Sequence, residues 1–220
     1  DADLESLQRR WQRLTETVRQ EKFPSFLRFH YLTRDRQVRQ EGLFKRIRGD
    51  VKTSSDVFAL VTQLENRAPL FEALQDEHAA YWADFPGAKM WVQQLVLFGV
   101  RQMTPLLFAV RETMSAEDFV RVLKLVAVIS FRYTIVSTLN PNELEPIYHD
   151  AAKAVIERRA MTPAGVFREL RSIYVPDAKF ETDFSEFTIS TRGRFKKLAR
   201  YILLSLEQDS TGREIDWETD

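Results

Sequence analysis

Residues 115–139, SAEDFVRVLKLVAVISFRYTIVSTL, decide the fold. Phe119, Val122, Val126, Ile129, Tyr133 and Val136 recur at helical spacing and make one apolar stripe. Val120, Leu123, Ala127 and Thr134 form a second stripe beside it. Leu125, Val128, Ile135 and Leu139 lie beyond, so little is left for water outside Arg121 and Lys124. A helix apolar on nearly every side is either a membrane span or the centre of a helical domain. Arg121, Lys124 and Arg132 break the run below the roughly 18 uncharged residues that a span requires. The stretch therefore reads as a core helix that neighbours must cover, starting at Ser115 with Asp118 in capping-box position.

The flanking sequence supplies those neighbours. Leu4, Leu7, Trp11, Leu14 and Val18 alternate by three and four, a narrow stripe suited to docking on the domain rather than to a free coiled coil. Pro24 heads a helix with Phe26, Leu27, Phe29, Tyr31 and Leu32. Arg34 to Gly49 is less regular, with Leu43, Phe44 and Ile47 as anchors. Ser54 or Ser55 caps a long helix through Val57, Phe58, Leu60, Val61 and Leu64. The pattern carries it on past Leu70, Phe71 and Leu74 to Tyr81 and Trp82, with Pro69 marking a kink or break. Phe85-Pro86-Gly87 is a turn, Met90, Trp91, Leu95 and Phe98 mark a helix, and Pro105 heads Leu106, Leu107, Phe108 and Val110.

Beyond the central stretch, Asn140-Pro141 stops the helix and Asn142 caps the next, with Leu144, Ile147, Tyr148, Ala151 and Val155 inward. Thr162-Pro163 starts a short helix using Val166, Phe167 and Leu170. Tyr174 to Ile189 is aromatic-rich and irregular, open to a short strand or single turns. Thr191 to Glu207 closes the pattern with Phe195, Leu198, Ala199, Ile202, Leu203 and Leu206 inward. The whole reads as one all-α domain, residues 1–220, of about eight to ten helices around a buried central helix. N-terminal helices fill 1–114, the central helix 115–139, and C-terminal helices 140–220.

Composition bounds the chemistry. The 220 residues are 44% hydrophobic with 16 Phe, enough for one substantial core, and 29% charged, which favours solubility. Seven Gly and eight Pro leave little for the turns of an all-β fold. Lys plus Arg equals Asp plus Glu at 32 each, so any nucleic-acid signal must be local. With no cysteine, disulfides, thiolate metal sites and cysteine nucleophiles are excluded. No signal peptide is visible, and the chain opens at Asp1 without methionine and runs out in polar sequence at Asp220; an excised piece of a longer protein is expected.

His30, His78 and His149 fall on three different predicted helices without a shared metal-ligand spacing, and read as ordinary surface or half-buried histidines. Glu72, Asp76 and Glu77 near His78 lack the paired spacing that zinc needs. No Gly-rich phosphate loop, nucleophile elbow or EF-hand loop occurs. Asp76-Glu77 and Glu143/Glu145 read as solvated faces. No catalytic residue, metal ligand or cofactor is assigned.

Two basic stretches stand out. Arg28, Arg34, Arg36, Arg39, Lys45, Arg46, Arg48 and Lys52 outnumber Asp35, Glu41 and Asp50; a solvated face is the preferred reading there. Arg192, Arg194, Lys196, Lys197 and Arg200 lie in nine residues without an acid. On a helix starting near Thr191 they sit at the positive end of the macrodipole, with Glu207 and Asp209 at the negative end. Each such placement costs from a few tenths up to about 1 kcal/mol when exposed. That order suits a phosphate-facing, nucleic-acid-binding patch or a dock for an acidic partner, and a tolerated solvated face stands beside those readings. Arg132, on the apolar helix, must find a carboxylate or reach water; a structural ion pair is the expected answer, its partner open.

Several segments together carry a resemblance. Trp11 in an amphipathic opening helix is followed by Phe26-Leu27, Tyr31-Leu32 and Leu43-Phe44-Lys45. Pro105-Leu106-Leu107 then precedes a helix ending in Phe131-Arg132-Tyr133, and the last segment is Ala199-Arg200-Tyr201-Ile202-Leu203-Leu204-Ser205-Leu206-Glu207. This order resembles the helical middle region of the GmrSD-type modification-dependent (type IV) restriction endonucleases and related phage-defence proteins, over most of the chain. Members of that family carry an N-terminal ParB/sulfiredoxin-like nucleotide-hydrolysing domain with a DGQQR-type motif. A C-terminal HNH nuclease follows, opening on a motif like Glu-His-Ile-Leu-Pro. Neither motif occurs here, so no family catalytic residue transfers.

The resemblance implies a non-catalytic, cytoplasmic helical connector that relays between a nucleotide-driven sensor and a nuclease and faces DNA, with no membrane partner. Its partners would be the flanking domains of the same protein. The alternative is a stand-alone helical protein-interaction module working through the Leu4-to-Val18 stripe or an exposed aromatic surface. A helical enzyme with a buried small-molecule site is the least supported, because no convergent polar groups are evident.

Overall fold

The computed structural model describes residues 2–34, 40–193 and 195–212. Among them are eleven α-helices and no strand. The helices are Ala2–Val18 (α1), Phe23–Leu32 (α2), Gln40–Asp50 (α3), Ser54–Ala73 (α4), Ala88–Phe98 (α5), Thr104–Thr113 (α6), Ala116–Ser130 (α7), Leu144–Ile156 (α8), Pro163–Leu170 (α9), Asp177–Ser185 (α10) and Phe195–Thr211 (α11). The all-α expectation holds, with one continuous main core.

α7 buries the stripe that the spacing predicts: Phe119, Val122, Val126 and Ile129 are closed to solvent, as are Leu123 and Ala127. Ser115 Oγ accepts from the Asp118 amide at 3.1 Å, the expected cap. Arg121 faces water and pairs with Glu117 and Asp118 one turn back. The helix does not run unbroken to Leu139. After Ser130 it widens into a π-helical turn, Phe131–Val136, and Thr138 follows at φ 46°. The wider turn leaves Tyr133 and Val136 in the core while Arg132 reaches across to α10.

α6 shares the centre. Every residue from Met103 to Val110 is buried, with Pro105 in the first turn where a missing N–H costs nothing. α6 lies along α8, whose Ala151, Ala152 and Ala154 are closed to solvent and permit a close approach. Full burial of side chains such as Leu106, Leu107 and Phe108 contributes about 1.5–3 kcal/mol each.

α1 docks on α4. Leu14 and Val18 are buried and Trp11 meets Phe23 edge-on at 5.0 Å, but Leu4 is exposed, so only the second half of the predicted stripe is used. Arg10 braces the pair through Glu65, Nε lying 3.1 Å from both carboxylate oxygens. α3 is a satellite: Leu43 packs on Tyr31 and Ile47 beside them, whereas the expected anchor Phe44 is 74% exposed.

Other boundaries differ from expectation as well. Thr53 caps α4, not Ser54 or Ser55, because Asp56 at the third position returns the bond: Asp56 N to Thr53 Oγ1 is 3.2 Å and Thr53 N to Asp56 Oδ2 is 2.8 Å. α4 runs through Pro69 and stops at Ala73; Tyr81 and Trp82 belong to a separate 3₁₀ turn, Ala80–Asp84. There the indole N–H of Trp82 donates back to the Ala73 carbonyl at 3.1 Å. Asn140 rather than Asn142 makes the cap after the π turn, its Oδ1 accepting from Asn142 N at 3.1 Å. The aromatic segment 174–189 holds a helix, α10, whose Phe180 and Phe184 stack on one another one turn apart.

Thr162 caps α9 as expected, accepting from the Gly165 amide at 3.1 Å. Gly165 suits the close approach there: a Cβ would lie 3.2 Å from Ala160 Cα, tighter than ordinary contact. α11 begins at Phe195, not Thr191, and buries Leu198, Ala199 and Ile202, with Tyr201 edge-on to Phe98 and Phe131. Leu203 and Leu206, expected inward, are 64% and 52% exposed. Leu206 shares the face of Leu198 and Ile202, but from Ser205 to Gly212 every residue is exposed; the helix outruns the surface it docks on. Among the described residues no helix is long and apolar enough to cross a membrane.

Candidate functional site

The basic segment at the start of α11 is built by helical periodicity. Leu198 and Ile202 hold one face against the core, which turns Lys196, Lys197 and Arg200 toward the other side. Lys196 and Lys197 are exposed, Arg200 is half-buried, and Arg192 is exposed in the turn before the helix. Arg194 lies outside the described residues. Gly193, at φ 57°, makes the turn, and its carbonyl accepts from the Lys196 amide at 3.2 Å. The first turn of α11 contains no acid, so the cations do stand at the positive end of the helix dipole. The arrangement offers point charges to phosphate oxygens or to an acidic surface.

The earlier basic stretch is dispersed. Arg28 pairs with Glu145 on α8, and Arg46 pairs with Asp50 at 3.0 Å. Arg36 and Arg39 lie outside the described residues, and Lys45, Arg48 and Lys52 are exposed. Two of the acids read as solvated faces are engaged instead. Glu145 takes Arg28, and Glu143 accepts from the Tyr133 hydroxyl at 2.9 Å. Burial together with the Glu143 charge pushes that phenol up to about 12.

Two of the three histidines are core residues rather than surface ones. His149 is 2% exposed, and its Nδ1 donates to the Leu32 carbonyl at the end of α2. His30 is 5% exposed and its Nδ1 lies 3.0 Å from a terminal nitrogen of Arg67. Burial first, then the charges of Arg67 and Arg34, lower its pKa to about 3. His78 is exposed beside Glu77. The three are not brought together, and no group of three His, Asp or Glu suited to a metal occurs among the described residues.

The dominant buried charge is Arg67, which sequence reasoning missed. It is 2% exposed and bonds the His30 carbonyl and Thr33 Oγ1, each at 3.1 Å, besides His30 Nδ1 and Glu112 on α6. The signal was an arginine inside the apolar run Leu64, Ala68, Leu70 and Phe71. Arg132 answers its expectation: it pairs with Asp177, donates to the Val175 carbonyl at 2.7 Å, and sits between Tyr174 and Phe180, 4.8 and 4.5 Å from their ring centroids. The ion pair is structural, and the Arg132 contacts together join α10 to the π turn.

Comparison with family models, with curated proteins and with solved structures finds no match to the chain.

Proposed function

We propose that the chain is a non-catalytic helical connector of a modification-dependent restriction or phage-defence nuclease, working in the cytoplasm. It relays between a nucleotide-hydrolysing sensor and an HNH nuclease and presents the amino end of α11 to DNA. The segment order from Trp11 to Glu207 supports the family reading. The observation that carries the DNA contact is the exposed pair Lys196 and Lys197, with exposed Arg192 before it, on a helix whose first turn holds no acid. A stability-tuned helix would place acids there.

The test is a DNA shift assay over a salt series, comparing wild type with Lys196→Glu/Lys197→Glu. Each lost phosphate contact lowers the log–log salt slope by about 0.9 on duplex DNA, so the double variant should lose about two units of slope and bind weakly at all salts. Salt-insensitive or unchanged binding rules the contact out. The second reading, a protein-interaction module, is favoured by Leu203 and Leu206, which expose a large apolar area on the same helix. It predicts partner loss on Leu203→Ser/Leu206→Ser with DNA binding intact.

A further inference from the structure

α2, α3 and the first half of α4 enclose a cleft of about 270 Å³. We propose that this cleft binds a small oxyanion, a phosphate or carboxylate group, through His30 Nε2–H, Tyr31, Arg34 and Gln63. His30 is the floor. Its Nδ1 faces Arg67, and a guanidinium only donates, so the neutral ring carries its proton on Nε2. That N–H has no partner among the described residues, nor do the Tyr31 hydroxyl, the Gln63 amide or the Arg34 guanidinium. His30 and Tyr31 are buried as residues, 5% and 8% exposed, and both line the cleft. Four donors without an acceptor among the described residues, from α2, the turn after it and α4, thus meet in one space.

The two acids in the wall already hold partners of their own. Asp50 is taken by Arg46 at 3.0 Å, and Asp56 accepts from the amides of Lys52 and Thr53 at 3.1 and 2.8 Å. Arg34 lines the rim, and among the described residues no acid is paired with it. With Leu60 completing the wall, the space admits an oxyanion and a short carbon skeleton, not a large cofactor. His30 stays neutral under the same two arginines, so it offers a donor without adding charge. The site stands apart from the α11 face, on residues 30–63 that sequence spacing does not link.

Titration of inorganic phosphate, and separately of acetate, at pH 7 and fixed ionic strength tests it by following the His30 ring nitrogens and backbone amides. The expected result is saturable change centred on α2 and α4, weakened about ten-fold by Arg34→Gln and untouched by Arg121→Gln, a surface cation elsewhere. Tighter phosphate assigns a phosphate ligand; tighter acetate assigns a carboxylate. No saturable change with either anion, or equal weakening in both variants, overturns the site.

Discussion

Arg67 on α4 grips Glu112 on α6 with both sides of its guanidinium fork: Nε lies 2.6 Å from Oε1 and a terminal nitrogen 2.9 Å from Oε2. The other terminal nitrogen serves α2, through His30 and Thr33. One cation therefore ties three helices, with Phe108 beneath it at 5.4 Å. A lysine would supply the charge but not the fork.

That division of contacts predicts unequal costs. Arg67→Met strands three acceptors at α2 as well as Glu112, and should cost about 3 kcal/mol in urea denaturation. Glu112 is more than a third exposed, so Glu112→Gln loses only a solvent-screened charge and should cost about 1 kcal/mol. Equal losses would mean that the α2 contacts contribute nothing.

His30 makes stability depend on pH. Its folded pKa, about 3, is below its ordinary value of 6.5, so the unfolded chain binds the extra proton between those limits. The contribution is complete above pH 6.5 and is lost as pH falls toward the folded value, with a slope up to about 1.4 kcal/mol per pH unit. His30→Asn keeps an acceptor for Arg67 but cannot titrate. Between about pH 4.5 and 6.5, above most carboxylate titration, wild type should lose stability relative to this variant. Parallel curves would refute the assignment.

How much of this was legible follows from which residues act locally. The α7 stripe, the Ser115 and Thr162 caps and the Pro105 start depend on neighbours within a few positions, and all four are found. The exposed charges of Arg192, Lys196 and Lys197 were equally legible, since a run without acids has nothing nearby to bury it. Arg67 was not, because its partners lie 34 to 45 positions away and only the fold brings them in. Leu203 and Leu206 failed for the opposite reason. Their periodicity is right, but periodicity does not say where the docking surface ends.

Arg132 should resist conservative replacement. Two aromatic faces and the Val175 carbonyl hold its planar head, whereas Asp177 is 77% exposed and screened. Arg132→Lys should therefore cost about 1–2 kcal/mol and strip hydrogen-exchange protection from α10, while Asp177→Asn should cost less than about 0.5 kcal/mol. If the asparagine variant is the more damaging, the ion pair rather than the stacking holds α10.

The exposed leucines of α11 separate folding from function on one helix. Ile202 is 7% exposed and packed in the core, so Ile202→Ala should cost about 2–4 kcal/mol through the cavity it leaves. Leu203 and Leu206 stand in water, and Leu203→Ser/Leu206→Ser should stay within about 0.5 kcal/mol of wild type by thermal or urea melts. If the double variant unfolds as readily as Ile202→Ala, the two leucines are packed in solution and α11 lies closer to the core than the structure places it. If it melts like wild type, whatever it loses in binding is lost from a surface, not from a weakened fold.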